Sequence, residues 1–255
     1  MVAPIRQHQT IADIIAQMDQ VIARCYGAQS KLGYFAVLYR NVTVRVRDGI
    51  VAGRFEDAAR MERLDVIFAS RYLDALDRFW RGETPTQCWS VAFRAARAWS
   101  PIILQHLLLG MNAHINLDLA IAAAQAAPGN ELPKLKRDFL EITVLLNEMI
   151  PGMEERIQKI SPWFRILARV GGRTDEQLCG FAIEKARNFA WLAANKLAET
   201  APEKIEQQIA RHDQIVAGLG NTIRLPVGNL LRSGLALIRV RESRDVRAVM
   251  NVLQM

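Results

Sequence analysis

The stretch SPIILQHLLLGMNAHINLDLAIAAAQAA, residues 100–127, carries no formal charge from Ser100 until Asp118. A run this long and apolar has two homes, the hydrocarbon of a bilayer or the middle of a packed protein. Gln105, His106, Asn112, His114, Asn116 and Asp118 lie inside it, and each is costly in lipid without a partner. The run therefore predicts a buried central helix over about 100–126, wrapped by other helices.

The rest of the chain supplies them. In TIADIIAQMDQVIARCYGAQ, Thr10 can cap a helix, with Asp13 three residues on, close to a capping box. Ile11, Ile14, Ile15, Met18, Val21 and Ile22 then recur at helical spacing. A second helix is predicted over about 31–47, with Gly49 beyond its end; its VTVRVR stretch alternates like a strand but follows FAVLYR without a break. Further helices are predicted over about 55–80, 86–98 and from 134, where Pro151-Gly152 breaks or kinks the pattern. SPWFRILARVGGR reads as a short helix entered at Ser161-Pro162 and stopped at Gly171-Gly172. Long helices follow from Asp175 and from Pro202, the latter ending at Gly220. NTIRLPVGN reads as a loop, with closing segments over about 230–239 and 245–253. No set of strands, repeat or linker emerges. The fold class is all-α: one multi-helix bundle over 1–255, whose first helix, within 1–30, is free to sit at the periphery.

Composition narrows the function classes. Hydrophobic residues make up 51% and charged residues 23% of the 255, a globular balance. Cys25, Cys88 and Cys179 are odd in number and form no CxxC pair, which argues against a disulfide framework or thiolate zinc site and for a reducing, cytoplasmic setting. The opening MVAPIRQHQTIADII lacks a basic region followed by an apolar run, so no secretory signal is expected. The net charge of +7 comes from basic residues interleaved with acidic ones, as in RFEDAARMER, so no nucleic-acid partner is expected. There is no GxSxG, Walker loop, GxGxxG or DDxxD.

What remains is the polar content of the central helix. At about 100° per residue, His106, Gly110, His114 and Asp118 climb one slowly turning face, while Gln105, Asn112 and Asn116 gather opposite. His114 and Asp118, four apart, can share a metal or hydrogen-bond each other. Gly110 leaves a gap where a ligand or another helix can approach. In RMERLDVIFASRYLDAL, Glu62, Asp65, Ala69 and Tyr72 share a face amid apolar neighbours. Carboxylates facing a core need partners. A metal shared with His106, His114 and Asp118 supplies one. The structural alternative pairs Glu62 and Asp65 with Arg60, Arg71, Arg97 or Arg187 and makes His114 a core histidine satisfied by Asp118 or a carbonyl. His8 and His212, the only other histidines, stand in exposed-looking contexts, which argues against a twice-repeated di-iron motif. Arg187 and Trp191 are spaced for a cation–π pair. Asp138, Glu141 and Asn147 either line the interior or form a solvated face, and Tyr34, Tyr39 and Arg40 read as rim residues.

The stretches GYFAVLYRNVTVRVRDGI, FEDAARMERLDVIFASRYLDAL, LQHLLLGMNAHINLDLAIAAA, SPWFRILARVGGRTDEQL, FAIEKARNFAW and IRVRESRDVRAVMNVL resemble a bacterial family catalogued as a domain of unknown function, family 5995. The resemblance runs from about Leu32 to the end, with GMNAHINLDL its most specific part. It implies one intact domain and carries no activity, cofactor or catalytic residue.

The expectation is a metal-dependent enzyme acting on a small, partly apolar molecule in a cavity between the 55–80 and 100–126 helices. His106, His114 and Asp118 are the candidate ligands of a divalent zinc or iron ion, with Glu62 or Asp65 as catalytic base. Tyr72, Asn112, Asn116 and Arg187 are candidate substrate contacts. The competing expectations are a non-enzymatic ligand-binding or scaffold protein with a structural polar core, and peripheral association with anionic membrane through the basic faces. No transmembrane segment is expected.

Overall fold

Thr10 opens the first helix: its hydroxyl accepts from the Asp13 N–H at 3.2 Å while the Asp13 carboxylate accepts from the Thr10 N–H at 2.9 Å, a complete capping box. The computed structural model describes residues 9–161 and 175–254, and all regular structure among them is helical. In chain order the long elements are α1 (Ile11–Gly27), α2 (Leu32–Val51), α3 (Ala58–Trp80) and α4 (Gln87–Arg97). The central helix follows as α5 (Ile103–Ala113), a π-helical turn (His114–Asp118) and α6 (Leu119–Ala126). Then come α7 (Lys136–Ile160), α8 (Asp175–Ala198), α9 (Ile205–Arg224), α10 (Asn229–Arg241) and α11 (Val246–Gln254). The short helix expected from Ser161-Pro162 to Gly171-Gly172 lies outside the described residues.

The α1 stripe seen in the sequence faces inward, with Ile14 and Met18 fully buried, so α1 is part of the core rather than peripheral to it. One apolar cluster runs from Ile11 to Leu253. The central helix is its axis, in contact with α2, α3, α4, α8 and α9. Its stretch Ile103–Ala126 is the one described helix long and apolar enough to cross a membrane, but 78% of its apolar window is buried inside the protein. It is a core helix, not a clear transmembrane segment.

Three glycine and proline readings change. Gly49 does not end α2: the helix continues to Val51, and Gly53, at φ +69°, makes the reversal. Gly49 is instead buried where a Cβ would press on Leu145 and Phe55. Pro151 does not break α7, which runs through it to Ile160. Asn147, whose carbonyl loses its donor, lies with Pro151 on the exposed face, where water can replace the bond. Gly220 does not stop α9; it is buried close to the Asn112 side chain, letting α9 approach the central helix.

Candidate functional site

The π-turn fixes the geometry of the site. The Leu119 N–H donates to the His114 carbonyl, an i→i+5 bond in place of the α-helical i→i+4. Taking in one extra residue rotates everything downstream by about 100° relative to an uninterrupted wheel. The four-spaced pair His114 and Asp118 survives within the turn, and it is the residues from Leu119 on that leave the expected face.

On the lower half of that face, Gly110 receives the Phe35 ring of α2 so closely that no Cβ could be added without displacing it. The gap foreseen at Gly110 is filled by a helix, not a ligand. Because Phe35 sits at this midpoint, it separates His106 from His114, which already lie roughly 12 Å apart along the helix.

At the π-turn, Asp118 is buried and fully engaged. Its Oδ1 accepts from Arg71 Nε at 3.0 Å, and its Oδ2 from Trp89 Nε1 at 2.8 Å and His114 Nδ1 at 3.3 Å. Burial depresses the His114 pKa, with the Asp118 hydrogen bond and charge opposing, so the ring is neutral. Facing a carboxylate, Nδ1 carries the proton, and Nε2 presents a lone pair. That nitrogen has no hydrogen-bond partner. Around it stand aromatic rings: Phe68 stacks on the imidazole at 3.6 Å between centroids, and Tyr39 lies edge-on at 4.1 Å. Phe35, Trp89 and Tyr72 complete the cage at 5.7, 6.1 and 6.2 Å.

Three more polar atoms here lack protein partners: the hydroxyls of Tyr39 and Tyr72 and Oδ2 of Asp65. Burial pushes both tyrosines well above the usual phenol pKa, with the Asp65 charge adding and the Thr43 hydroxyl opposing at Tyr39, and the Cys25 thiol adding at Tyr72. Burial, reinforced by the Glu62 charge, raises the Asp65 pKa to about 7. His114, Tyr39 and Tyr72 thus bury polar atoms within one aromatic cluster, the chamber, and Asp65 stands two turns before Tyr72 on α3.

The other expected residues lie elsewhere. Glu62 accepts from the Ile11 N–H at 3.2 Å and serves the start of α1. Neither Glu62 nor Asp65 forms a salt bridge with an arginine among the described residues; Arg60 pairs with Asp138 and Arg71 with Asp118. Asn112 and Asn116 face α9. The Asn116 amide donates to Asn112 Oδ1, and the Asn112 amide donates to the Val216 carbonyl, both at 2.9 Å. Gln105 donates to the Ile223 carbonyl at 2.7 Å on the same side. That stripe holds α9 rather than a ligand. His212, expected to be exposed, is buried, its Nε2 2.7 Å from the Asn116 carbonyl.

Arg187 is buried between α7 and α8, with its Nε donating to Thr143 Oγ1 and its Nη2 to the Phe139 carbonyl. Its cation–π partner is Phe139, at 4.2 Å, while Lys136 takes Trp191. Burial brings its pKa down to about 9. It does not reach the chamber. Asp138 is buried at the start of α3, and Glu141 pairs with Arg54. Tyr39, read as a rim residue, is instead a wall of the cage, and Trp89 was not singled out at all.

The structure does not bring the expected metal ligands together. His106 is cut off by Phe35, both Asp118 oxygens are taken by Arg71, Trp89 and His114, and Glu62 is committed to α1. Among the described residues no three His, Cys, Asp or Glu side chains group as a ligand set. A wide, open groove of about 860 Å³ lies away from the chamber, between the starts of α3 and α7. Glu56, Asp57, Lys134 and Arg137 line it with mixed charge and no aromatic wall, so the chamber is the better candidate.

Fold and site together define an all-helical protein with a buried His114–Asp118 pair inside an aromatic cluster at a π-turn of its central helix. The chain belongs to the family of unknown function DUF5995, whose model matches residues 11–226. The match covers α1, ahead of the Leu32 start expected from the sequence, and stops before the closing IRVRESRDVRAVMNVL. No curated protein and no solved structure gives a significant match.

Proposed function

We infer that the protein binds a small, partly apolar molecule in the chamber around His114, without a metal held by the protein. The observation that supports this most is that His114 Nε2 and the Tyr39 and Tyr72 hydroxyls, buried without a hydrogen-bond partner, belong to one aromatic cluster, with Asp65 Oδ2 likewise unpaired on α3. Buried polar groups are ordinarily paired, and a cluster of exceptions with perturbed pKa values marks a functional site. The cage contributes apolar contact, and the polar atoms hold one end of the molecule. A ligand with a labile proton would meet a base oriented by Asp118 and an acid at Asp65, so the chamber is equipped for general acid–base chemistry as well as binding. Cys25 and Cys88, both buried free thiols, support a reducing, cytoplasmic setting.

The metal-dependent alternative and this one separate cleanly. Tag-free protein purified without chelator is analysed by inductively coupled plasma mass spectrometry, and native mass spectrometry follows retained small molecules. The expected result is metal far below one equivalent and an organic adduct that His114→Gln no longer retains. Stoichiometric zinc or iron that disappears in His114→Gln would sink the inference.

A further inference from the structure

His106 is buried to 7% exposure, and neither ring nitrogen has a hydrogen-bond partner. Burial, then the charges of Lys31 and Arg239, brings its pKa down to about 3, against a weaker pull from the Pro101 carbonyl, which stands outside hydrogen-bond geometry. The ring is neutral, so in either tautomer it offers one donor and one acceptor. It lines a crevice of about 20 Å³ between the start of α2, α4 and α5, together with Lys31, Phe35, Tyr72, Trp89 and Gly110. That volume takes a water-sized group and no more.

Three of those rings, Phe35, Tyr72 and Trp89, also face His114. The crevice and the chamber share a wall. Phe35 stands in that wall: it belongs to α2, rests in the notch that Gly110 leaves, and lines the crevice on one side and the His114 cluster on the other. Lys31, at the mouth, has its ammonium tied to the Ala98 carbonyl at 2.7 Å. What the crevice offers an entering molecule is therefore aromatic surface and one neutral donor–acceptor pair.

We propose that this crevice is the entrance to the His114 chamber, with Phe35 as its gate, and that it admits a single-ring aromatic molecule bearing a hydroxyl, held through that hydroxyl by His106. The proposal rests on the chamber being a binding site. A hydroxyl both donates and accepts, matching the two nitrogens of neutral imidazole. A second fused ring exceeds the space that one phenyl group vacates.

The test uses the full chain labelled with 13C-histidine, since it holds only four histidines, titrated with phenol and separately with toluene. His106→Gln and His114→Gln assign the signals. Phenol is expected to shift the His106 and His114 ring signals along one saturating curve, about fivefold more tightly than toluene, the factor one neutral hydrogen bond carries. Phe35→Ala, which removes the gate, tightens both ligands, and His106→Leu abolishes the preference for phenol while toluene still binds. Equal affinity for the two ligands in the native protein overturns the assignment of His106. Shifts at His114 alone overturn the entrance and leave the chamber reading standing. No shift at either histidine, in the native protein and in Phe35→Ala, overturns both.

Discussion

The starts of α3, α4 and α5 and the chamber around His114 both bury polar side chains against the central helix, yet they treat hydrogen bonds in opposite ways. Neither the α4 nor the α5 N-cap residue supplies a side-chain cap, because Thr86 makes no capping bond and Ile102 has no polar atom; within α5 only Gln105 reaches back, accepting from the Ile102 N–H at 3.0 Å. Carboxylates from far along the chain do the work. Asp213 accepts from the Gln87 and Cys88 N–H groups at 2.7 and 2.9 Å, and Glu242 accepts from Ile103 N–H at 2.9 Å and Ser161 Oγ at 2.7 Å. Asp138 serves Glu56, Asp57 and Arg60 at the start of α3. Each carboxylate meets the orphan donors and positive dipole end of a helix, so its burial is compensated and the later helices are fastened to the earlier ones. In the chamber only Asp118 is treated this way. Polar atoms on the aromatic side chains and histidine of this cluster, His114 Nε2 and the Tyr39 and Tyr72 hydroxyls, are left without hydrogen-bond partners. A protein that satisfies buried carboxylates so thoroughly elsewhere retains such a cluster where something other than folding uses it.

The largest effect expected from this contrast is at Asp213. Asp213→Ala leaves the buried Cys88 N–H and the part-buried Gln87 N–H at the start of α4 without their acceptor and removes a charge favourable to the helix dipole. The expected loss is about 3 kcal/mol of unfolding free energy, read from urea denaturation with an unchanged m-value. A loss under about 1 kcal/mol would mean that water caps α4 equally well, and the contrast with the chamber would weaken.

The two regions also differ in what the sequence disclosed. The Thr10 box, the α1 stripe and the buried central helix are local patterns, and all three are legible. So was the His114–Asp118 pair, because four-residue spacing survives in the π-turn. The partners of Asp118 were not, since Arg71 and Trp89 come from two other helices and their approach depends on packing. The π-turn itself had no visible signal, and neither did the α9 carbonyl that Asn112 meets, since it comes from a distant helix. Glu62 and Asp65 looked equivalent in sequence. Glu62 reaches the free start of α1 one turn away from Asp65, which has no helix end within reach.

That difference gives the second effect, of intermediate size. Asp65 has a pKa of about 7 in the folded protein against an ordinary 3.8. Below pH 4 it is protonated both folded and unfolded and contributes no slope. Between about 4 and 7 the folded protein keeps a proton that the unfolded chain has released, so stability falls as pH rises, and the loss is complete above pH 7. Asp65→Asn removes this slope and should leave the variant more stable than the native protein at pH 8 by about 2 kcal/mol, a discounted figure from about 1.4 kcal/mol per pH unit. Parallel thermal-denaturation profiles from pH 4 to 8 for the two proteins would show instead that Asp65 is solvated or paired, and would remove the acid from the chamber.

The smallest effect has the most telling sign. Tyr39→Phe and Tyr72→Phe delete one oxygen each and keep the ring contacts with His114, Phe35 and Trp89. In a polar network built for folding, such a deletion costs stability, as at Asp213. A hydroxyl buried without a partner is itself unfavourable, so each variant should gain on the order of 1 kcal/mol in urea denaturation. A gain in stability paired with loss of the retained molecule separates the chamber from the capping carboxylates, because the same atom would then oppose folding and serve binding. A loss of 1 kcal/mol or more at both positions would place the hydroxyls in a satisfied network, and the chamber would belong with the capping sites as structure.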